Sequence, residues 1–518
     1  MREATKTHLR VIEKDGPEAE AAAATTALEA IENAENPLEA FLRLQAWLSG
    51  PKAMSAQAHS VEEDLLVGGF EVLRQLLQQY IDSRGIGDVG KAVIKEVGPG
   101  RSVRMADKRE RGCDYTSVFG TVRVTRVGYG ALGERGVHPL DEQLNLPKRK
   151  YSHVLQKRGA RAVARGPYEE AVQTIDETTA AHVPKRQLEE IAEESACDFD
   201  DFYENRSTQA RPPEESGPIL VGGVDCKGVP RRRTEEEKAE ARNPRPGQGE
   251  EKRKKKMATV ASVHTQQPYV RTAQEVVARL MDLDPPKPSR ARPRPEDRRL
   301  WASVTKSKDD VINDMAAEMD RRDPEREKVV VCLTDGERAL QKRAIAHIRR
   351  LFPAMFLILD IIHALEYLWK ASHAFHPAGG EEARLWVRQR LLRILHGEVS
   401  SVAAGIRQSA TKNKLTGKKR KAVDKACNYF LCNKDRMRYD EYLARGLPIA
   451  SGNVEGACGH LVKDRMERTG AIWWPEGAEP VLKLRAVEKS GDFDNYWQYH
   501  LEQERRRNYP ARWLAVVK

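Results

Sequence analysis

Three short apolar runs in the sequence each end in an aspartate: Asp225, Asp335 and Asp360. Such runs predict buried strands, and ligand sites in parallel sheets collect at the carboxyl ends of the strands. An aspartate after a single strand is more typical of a turn or a helix cap. A fourth acidic residue, Glu455, favours a shared site, because it lies at the edge of the apolar stripe of a helix that Ser451 is predicted to N-cap.

Two aspartates and a glutamate that converge repel one another, and a bound divalent cation is the usual remedy. Hard oxygen ligands without a histidine and cysteine cage favour Mg²⁺ or Mn²⁺ over Zn²⁺. Two such ions can activate a water or a 3′-hydroxyl and stabilise the leaving oxygen of a phosphodiester. We therefore predict that Asp225, Asp335 and Glu455 are catalytic and hold two Mg²⁺ or Mn²⁺ ions.

The alternation of strand and helix around the aspartates predicts a parallel sheet covered by helices. Apolar residues at helical spacing predict a bundle between Leu38 and Ile81. A strand that forms half of a hairpin is predicted between Ser117 and Tyr129. The predicted organisation is a mobile tail at 1–35, a mainly helical DNA-binding and dimerisation region at 36–212, a catalytic core at 213–375 and 446–490, a basic helical insertion at 376–445, and a C-terminal tail at 491–518.

The segment 168–194 has the pattern of two helices joined by a turn at His182-Val-Pro184. One interpretation is a helix-turn-helix whose second helix, with Lys185 and Arg186 at its start, enters a DNA groove. The other interpretation is an ordinary helical hairpin.

Lysine and arginine outnumber aspartate and glutamate by 88 to 77, a formal net charge of +11, which favours a polyanionic partner. A charged loop between two paired strands is predicted for 227–256. Basic residues also surround Glu455 and fill the insertion, and Trp473 is a candidate for base stacking or for the core. The predicted DNA contacts are Lys418, Lys419, Arg420, Lys463, Arg465, Arg468 and Trp473, in addition to Lys185 and Arg186.

Seven cysteines without a CxxC pair are typical of a reducing compartment. The charged N-terminus is unlike a signal peptide, and the most apolar window, 351–369, is interrupted by Asp360, His363 and Glu366. We therefore expect a cytoplasmic, nucleoid-associated protein that does not enter a membrane.

Four motifs together resemble the DDE transposases with an RNase H-like core: Val-Asp225, Leu-Thr-Asp335-Gly, Asp360-x-x-His363 and Ser-Gly-Asn-Val-Glu455. The blocks from Tyr439 to Glu455, from Lys463 to Trp473 and from Pro139 to Pro147 are similar to the ISKra group of bacterial insertion-sequence transposases. The resemblance covers roughly residues 40 to 500. It implies a five-stranded mixed sheet with flanking helices, an insertion between the last strand and the glutamate helix, and cut-and-join chemistry on transposon ends. It also implies an accessory role for Asp360 and His363, although a structural hydrogen bond would equally account for His363.

The predicted function is that of an insertion-sequence transposase, which binds terminal inverted repeats in double-stranded DNA and transfers the cut strand to a target. Two ends must be brought together, so we expect a homodimer or a higher oligomer on DNA. Two alternatives remain: an RNase H-like nuclease that cuts without joining, and a catalytically silent DNA-binding protein descended from a transposase.

Overall fold

The computed structural model describes residues 17–205, 216–235, 255–281, 291–510 and 512–516. The chain forms two compact units, one made of residues 1–198 and 495–518 and the other of residues 199–494. The catalytic core and the insertion that the sequence predicted as separate domains therefore lie in one unit, and the C-terminal residues belong to the unit that contains the N-terminus.

The first unit begins with helices and continues into strands. Its elements up to residue 198 are α1 (Pro17–Ala23), α2 (Ala27–Ile31), α3 (Pro37–Leu48), α4 (Pro51–Ser55), α5 (Ala58–Ser83), β1 (Ala92–Gly98), β2 (Arg101–Met105), β3 (Asp107–Ser117), β4 (Gly120–Ala131), β5 (Glu134–Val137), α6 (Pro139–Leu144), α7 (His153–Arg165), α8 (Tyr168–Thr178) and α9 (Lys185–Ser195). The order of one three-stranded sheet is β3-β4-β5, and β3 and β4 pair as an antiparallel hairpin.

This unit differs from the prediction in two respects. Residues 1–16 of the predicted tail lie outside the described part of the chain, but α1 and α2 are packed helices whose Ala21, Ala27 and Ile31 are buried beside Trp47. The region predicted as mainly helical also contains five strands. Of these strands, β4 corresponds to the half-hairpin predicted between Ser117 and Tyr129. Its partner β3 escaped prediction because charged residues occupy most of it and its first six positions are exposed.

The second unit alternates strands and helices. Its elements are α10 (Phe199–Asn205), β6 (Ile219–Pro230), β7 (Lys255–Gln266), α11 (Ala273–Met281), β8 (Glu296–Ser303), α12 (Lys308–Arg322), β9 (Val329–Thr334), α13 (Arg338–Leu351), β10 (Phe356–Leu359), α14 (Ile361–Ser372), α15 (Glu381–Leu395), α16 (Val399–Lys412), α17 (Gly417–Asn433), α18 (Tyr439–Ala444), α19 (Gly452–Ala457), α20 (Asp464–Met466) and α21 (Pro475–Ser490). A π-helical turn, Cys458–Lys463, continues from α19.

The central sheet has five strands in the order β10-β9-β6-β7-β8. The pairs β10/β9 and β9/β6 are parallel, and the pairs β6/β7 and β7/β8 are antiparallel. The five-stranded mixed sheet with helices that the resemblance implied is thus confirmed. The parallel sheet predicted from the alternation of strands and helices is parallel only across β10, β9 and β6. β6 and β7 pair along their whole length from Ile219↔Gln266 to Pro230↔Lys255, so the strands on both sides of the charged segment do form a hairpin. Residues 236–254 of that segment lie outside the described part.

Two consecutive glycines in β6 let helices approach both faces of the sheet. A Cβ atom on Gly222 would lie 2.9 Å from Sδ of Met319 on α12, and one on Gly223 would lie 3.3 Å from Cβ of Val454 on α19. Successive residues of a strand point to opposite faces. The central strand is therefore enclosed by α12 on one side and by the helix that carries Glu455 on the other.

The predicted insertion, 376–445, consists of α15 to α18, and its apolar side chains join the core of the second unit. Val387, Ile406 and Phe430 are fully buried and belong to the same apolar cluster as Val331 and Ile358 of the sheet. The insertion is consequently packed on the sheet through a shared core.

The segment predicted as a C-terminal tail instead forms α22 (Phe493–Asn508) and β11 (Trp513–Val516). β11 pairs antiparallel with β1 in the register Ala92↔Val516 to Lys95↔Trp513, and the second three-stranded sheet of the first unit has the order β11-β1-β2. Of the helices described, none has the length and apolarity needed to cross a bilayer.

Candidate active site

The strand register aligns the three aspartates across adjacent parallel strands. Gly223 pairs with Leu333, and Asp225 and Asp335 each lie two residues further along. Leu359 pairs with Thr334, and Asp360 and Asp335 each lie one residue further along. The three carboxylates therefore occupy equivalent levels where the parallel pairing ends. β6 itself continues to Pro230 as half of the hairpin, so Asp225 lies within a strand rather than after one.

Asp335 lies in a tight turn before α13. Its Oδ1 accepts a hydrogen bond of 2.8 Å from the amide of Glu337, and the next residue, Gly336, has φ +89°. The hydroxyl of Tyr429, on α17 of the insertion, donates to the carbonyl oxygen of Asp335 at 2.7 Å. A Cβ atom on Gly336 would lie 2.6 Å from that hydroxyl, so glycine is required both by the backbone conformation and by the close approach of the insertion.

Asp360 is fully buried and binds the start of the glutamate helix. Its Oδ1 accepts from the amide of Ile362, and its Oδ2 accepts from the amide of Ser451 at 2.8 Å and from the Ser451 hydroxyl. Ser451 was predicted to cap α19 with its side chain. It does occupy the N-cap position, but its hydroxyl bonds to Asp360 instead of an amide of the helix.

The position of α19 is set by contacts on either side of Glu455. The Asn453 amide donates to Nε2 of His264 on β7 at 2.9 Å, and the Cys458 thiol lies 3.3 Å from Oδ2 of Asp225. Burial lowers the pKa of His264 to about 4, so the imidazole is neutral and its Nε2 is free to accept. These contacts hold the helix on the face of the sheet that carries Asp225.

Glu455, Asp360 and His363 form a cluster in which one ligand atom from each residue lies within 4.8 Å of the others. Burial raises the pKa of Glu455; the carboxylates of Asp360 and Asp225 raise it further, and His363 lowers it. The fold has thus gathered negative charge around a half-buried carboxylate. Oxygen donors with one imidazole are suitable for Mg²⁺ or Mn²⁺, and a cation would relieve this repulsion.

The geometry groups the predicted site residues differently from the sequence. It brings Glu455 within 4.8 Å of ligand atoms of the two residues predicted as accessory, Asp360 and His363. Asp225 interacts electrostatically with Glu455, and its Oδ2 lies 3.3 Å from the thiol of Cys458 on the same helical segment as Glu455. Asp335 is aligned with Asp225 and Asp360 by strand register.

Some predicted DNA contacts are on the surface and others are not. Lys418, Lys419, Lys463 and Arg468 are exposed, and Arg420 pairs with Asp424 at 3.0 Å. Arg465 is 3% exposed with its guanidinium 4.8 Å from the centre of the Trp473 ring. Trp473 is 9% exposed and donates its indole N–H to the carbonyl of Met466. Arg465 and Trp473 are therefore buried side chains that contact each other.

Lys185 and Arg186, at the start of α9, are exposed but paired with glutamates. Lys185 lies 2.5 Å from Glu169, and Arg186 lies 3.1 Å from Glu190. The two helices of the predicted helix-turn-helix are present as α8 and α9. The surface at the start of α9 therefore contains both positive and negative charges.

Sequence reasoning did not identify His264, Tyr429 or Cys458 as parts of the site. Cys458 follows Glu455 by three residues on the same helical segment, a spacing that places both on one side and was a usable signal. His264 and Tyr429 are on distant elements, and no local pattern marks them.

No protein-family model matches the sequence, and no curated protein matches it either. Among solved structures, the Drosophila P element transposase strand transfer complex is similar at a TM-score of 0.24 and 11% sequence identity, over 67% of this chain and 80% of that chain. A likeness at this TM-score supports neither a fold nor an activity for this chain.

Proposed function

We propose that the chain is a DNA transposase with an RNase H-like catalytic unit that cuts transposon ends and joins them to target DNA in a metal-dependent reaction. One observation carries this proposal: the helix of Glu455 is bound to the sheet beside three aspartates of equivalent register. The strand order β10-β9-β6-β7-β8, with two parallel and two antiparallel pairings, supports an RNase H-like arrangement.

The residues fit a divalent cation. Asp225, Asp335 and Glu455 would hold it, since strand register aligns the two aspartates. Asp360 and His363, whose ligand atoms lie within 4.8 Å of Glu455, would support the site. Such a cation lowers the pKa of a bound water or hydroxyl and stabilises the leaving oxygen of a phosphodiester. Asp360 uses both carboxylate oxygens in hydrogen bonds to Ile362 and Ser451, which suits a positioning role for the glutamate helix.

The chain's own residues have separate tasks in this scheme. Glu455 is kept half-buried, which limits water around its carboxylate. Tyr429 holds the turn of Asp335 through a main-chain bond and stacks on Tyr367 at 3.8 Å between ring centres. Exposed lysines of the insertion, Lys418 and Lys419, provide positive charge for the DNA backbone.

A cleavage and strand-transfer assay on DNA that carries the element's own ends, in Mg²⁺ or Mn²⁺, tests the proposal. We expect cut and joined products from the wild type, and neither from Glu455→Gln, which removes one charge at the centre of the cluster. The matched control is Glu441→Gln, because Glu441 is an exposed partner of Arg438 on α18.

Cutting without joining would favour the RNase H-like nuclease. Tight DNA binding by both proteins without cleavage, in either metal, would favour the silent binding protein. Full activity of Glu455→Gln would show that Glu455 is not catalytic and would contradict the proposed site.

A further inference from the structure

One side of the long helix α5 exposes a stripe of apolar residues. Its members are spaced alternately three and four residues apart: Leu66, Gly69, Leu73, Leu76 and Tyr80. The four large side chains are each between 42% and 52% exposed. Single exposed apolar residues are common on protein surfaces, whereas a continuous stripe along about four turns of helix is typical of an interaction surface.

The stripe is distinct from the sides of α5 that pack within the first unit. Val72 is buried in the apolar cluster that contains Trp47, and Ile81 is buried in the cluster that contains Val122. Neither cluster contains the large side chains of the stripe. With about 100° between successive residues, the stripe occupies an arc of about 80° between the directions of Val72 and Ile81. It is therefore an additional apolar face of the helix.

The spacing of the stripe is that of a coiled-coil seam. Leu66, Leu73 and Tyr80 are seven residues apart and correspond to a positions of a heptad. Gly69 and Leu76 correspond to the d positions. A seam of a and d positions packs against another helix by inserting side chains between those of the partner. The partner chemistry that fits is therefore a helix with a matching seam.

The stripe is complementary to a second copy of itself in antiparallel orientation. When a positions of one helix face d positions of the other, Leu73 faces Leu76 of the second copy and Tyr80 faces Gly69. A Cβ atom on Gly69 would meet no atom within 4 Å, so the seam has a notch where the tyrosine ring fits. Each contact occurs twice, as a twofold axis requires. A parallel pair would instead place the two notches opposite each other and leave a gap.

The charges at the two ends of the stripe favour the same orientation. Glu62 lies about one turn before Leu66, Arg84 lies about one turn after Tyr80, and both charged residues are exposed. An antiparallel pair brings Glu62 close to Arg84 of the second copy at both ends of the seam. A parallel pair would bring like charges together, which opposes association.

We propose that α5 pairs with α5 of a second copy of this chain, in antiparallel orientation, to form a twofold dimer. The interface follows from α5 itself, and its use in holding two DNA ends together rests on the proposed function. About four turns of helix make a small interface, so the dimer is expected to be reversible and its fraction to rise with protein concentration.

Sedimentation velocity of the full-length protein, over a wide range of concentration and without DNA or metal, tests the pairing. We expect the wild type to change from monomer to dimer, and L73E to associate at least about tenfold more weakly, because it places two like charges in the seam. The matched control is V67E, since Val67 is similarly exposed on another side of α5. Equal thermal unfolding midpoints will show that both variants are folded.

A second set of variants tests the orientation. G69L should weaken association because it fills the notch, although it meets no atom of its own chain at the Cβ position. Y80A should weaken association because it leaves the notch empty. The double variant G69L/Y80A places a large side chain opposite a small one again and should recover part of the association. A double variant that associates no better than either single variant would overturn the antiparallel pairing.

A wild type that stays monomeric at every concentration would overturn the inference, as would a dimer that L73E leaves intact. These measurements are independent of the transposase reaction, because they contain neither DNA nor metal. An intact dimer without metal-dependent cleavage defeats the proposed function alone. Cleavage and joining by a protein that remains monomeric in solution defeats the proposed interface alone.

Discussion

The backbone amide of Ser451 donates a hydrogen bond of 2.8 Å to Oδ2 of Asp360, a residue 91 positions earlier. The whole helical insertion lies between these two residues in the sequence, so this contact joins the chain segments that enter and leave the insertion. Ile361 adds a second contact, because its amide donates to the carbonyl of Ile449 at 2.9 Å. The strand end of β10 and the helix of Glu455 are thereby joined directly.

We expect Asp360→Ala to destabilise the second unit by about 3 kcal/mol, because a buried charged acceptor is lost and buried donors are left unpaired. Ser451→Ala should cost about 1 kcal/mol, since its backbone amide still reaches Asp360. Thermal unfolding midpoints measure both losses. The double variant should lose less than the sum of the single losses, and strict additivity would show that the two side chains are not coupled.

Gly223→Ala is expected to displace α19. The new Cβ would lie 3.1 Å from Oγ of Ser262 and 3.3 Å from Cβ of Val454, a separation that forces one neighbour to move. A shift of about 1 Å at a reacting group can cost about 100-fold in rate, and the displacement needed here is smaller, so metal-dependent cleavage should fall by up to about 10-fold.

The control is Gly405→Ala, because a Cβ atom there meets no atom within 4 Å. Adding Val454→Ala to Gly223→Ala should restore part of the cleavage rate, since it removes Cγ1 of Val454, which would lie 3.4 Å from the new Cβ. Normal cleavage by Gly223→Ala alone would contradict close packing of α19 on β6.

Glu318→Gln tests a buried charge network between β8 and α12. Glu318 is 5% exposed and contacts Arg299 at 2.6 Å, Arg322 at 2.7 Å and Arg321 at 2.8 Å. Although burial raises it, the pKa of Glu318 is held well below its usual range by these three arginines. Removing the carboxylate charge leaves Arg299 buried without its counterion, a loss of about 3 to 5 kcal/mol.

The readout for this variant is the thermal unfolding midpoint, compared with Glu398→Gln. Glu398 pairs with Arg393 at the surface, where such a change costs less than about 1 kcal/mol. Similar midpoints for both variants would contradict a structural role for the buried network.

His264 gives the second unit a stability that depends on pH. Burial lowers its pKa from 6.5 to about 4, so the unfolded chain takes up a proton between these values and the native chain does not. The free energy of unfolding is therefore unaffected by this group above pH 6.5 and decreases as the pH falls from 6.5 to 4. The total loss from this group is about 3 kcal/mol.

Thermal midpoints of the wild type and His264→Gln from pH 7 to pH 5 measure this effect. The midpoint of the wild type should fall more steeply across this range, because the variant has no imidazole to titrate. Parallel curves would show that His264 does not cause the pH dependence of the unfolding midpoint.

The sequence alone determined the local features of the candidate site. Apolar runs predicted the strands before Asp335 and Asp360, and the turn residues before Gly452 predicted the start of the glutamate helix. These features can be predicted because burial of a strand or of a helix face requires apolar residues at short, regular spacing. Turns likewise require particular residue types within a few positions.

Only the tertiary structure decided which side chains meet across long separations. It paired Ser451 with Asp360, set Tyr429 over Asp335, covered Arg465 with Trp473, and placed β11 beside β1. It also paired Lys185 and Arg186 with glutamates. Such contacts depend on how whole helices and strands pack. Local sequence periodicity does not identify the partner residue, because the partner is distant in the sequence.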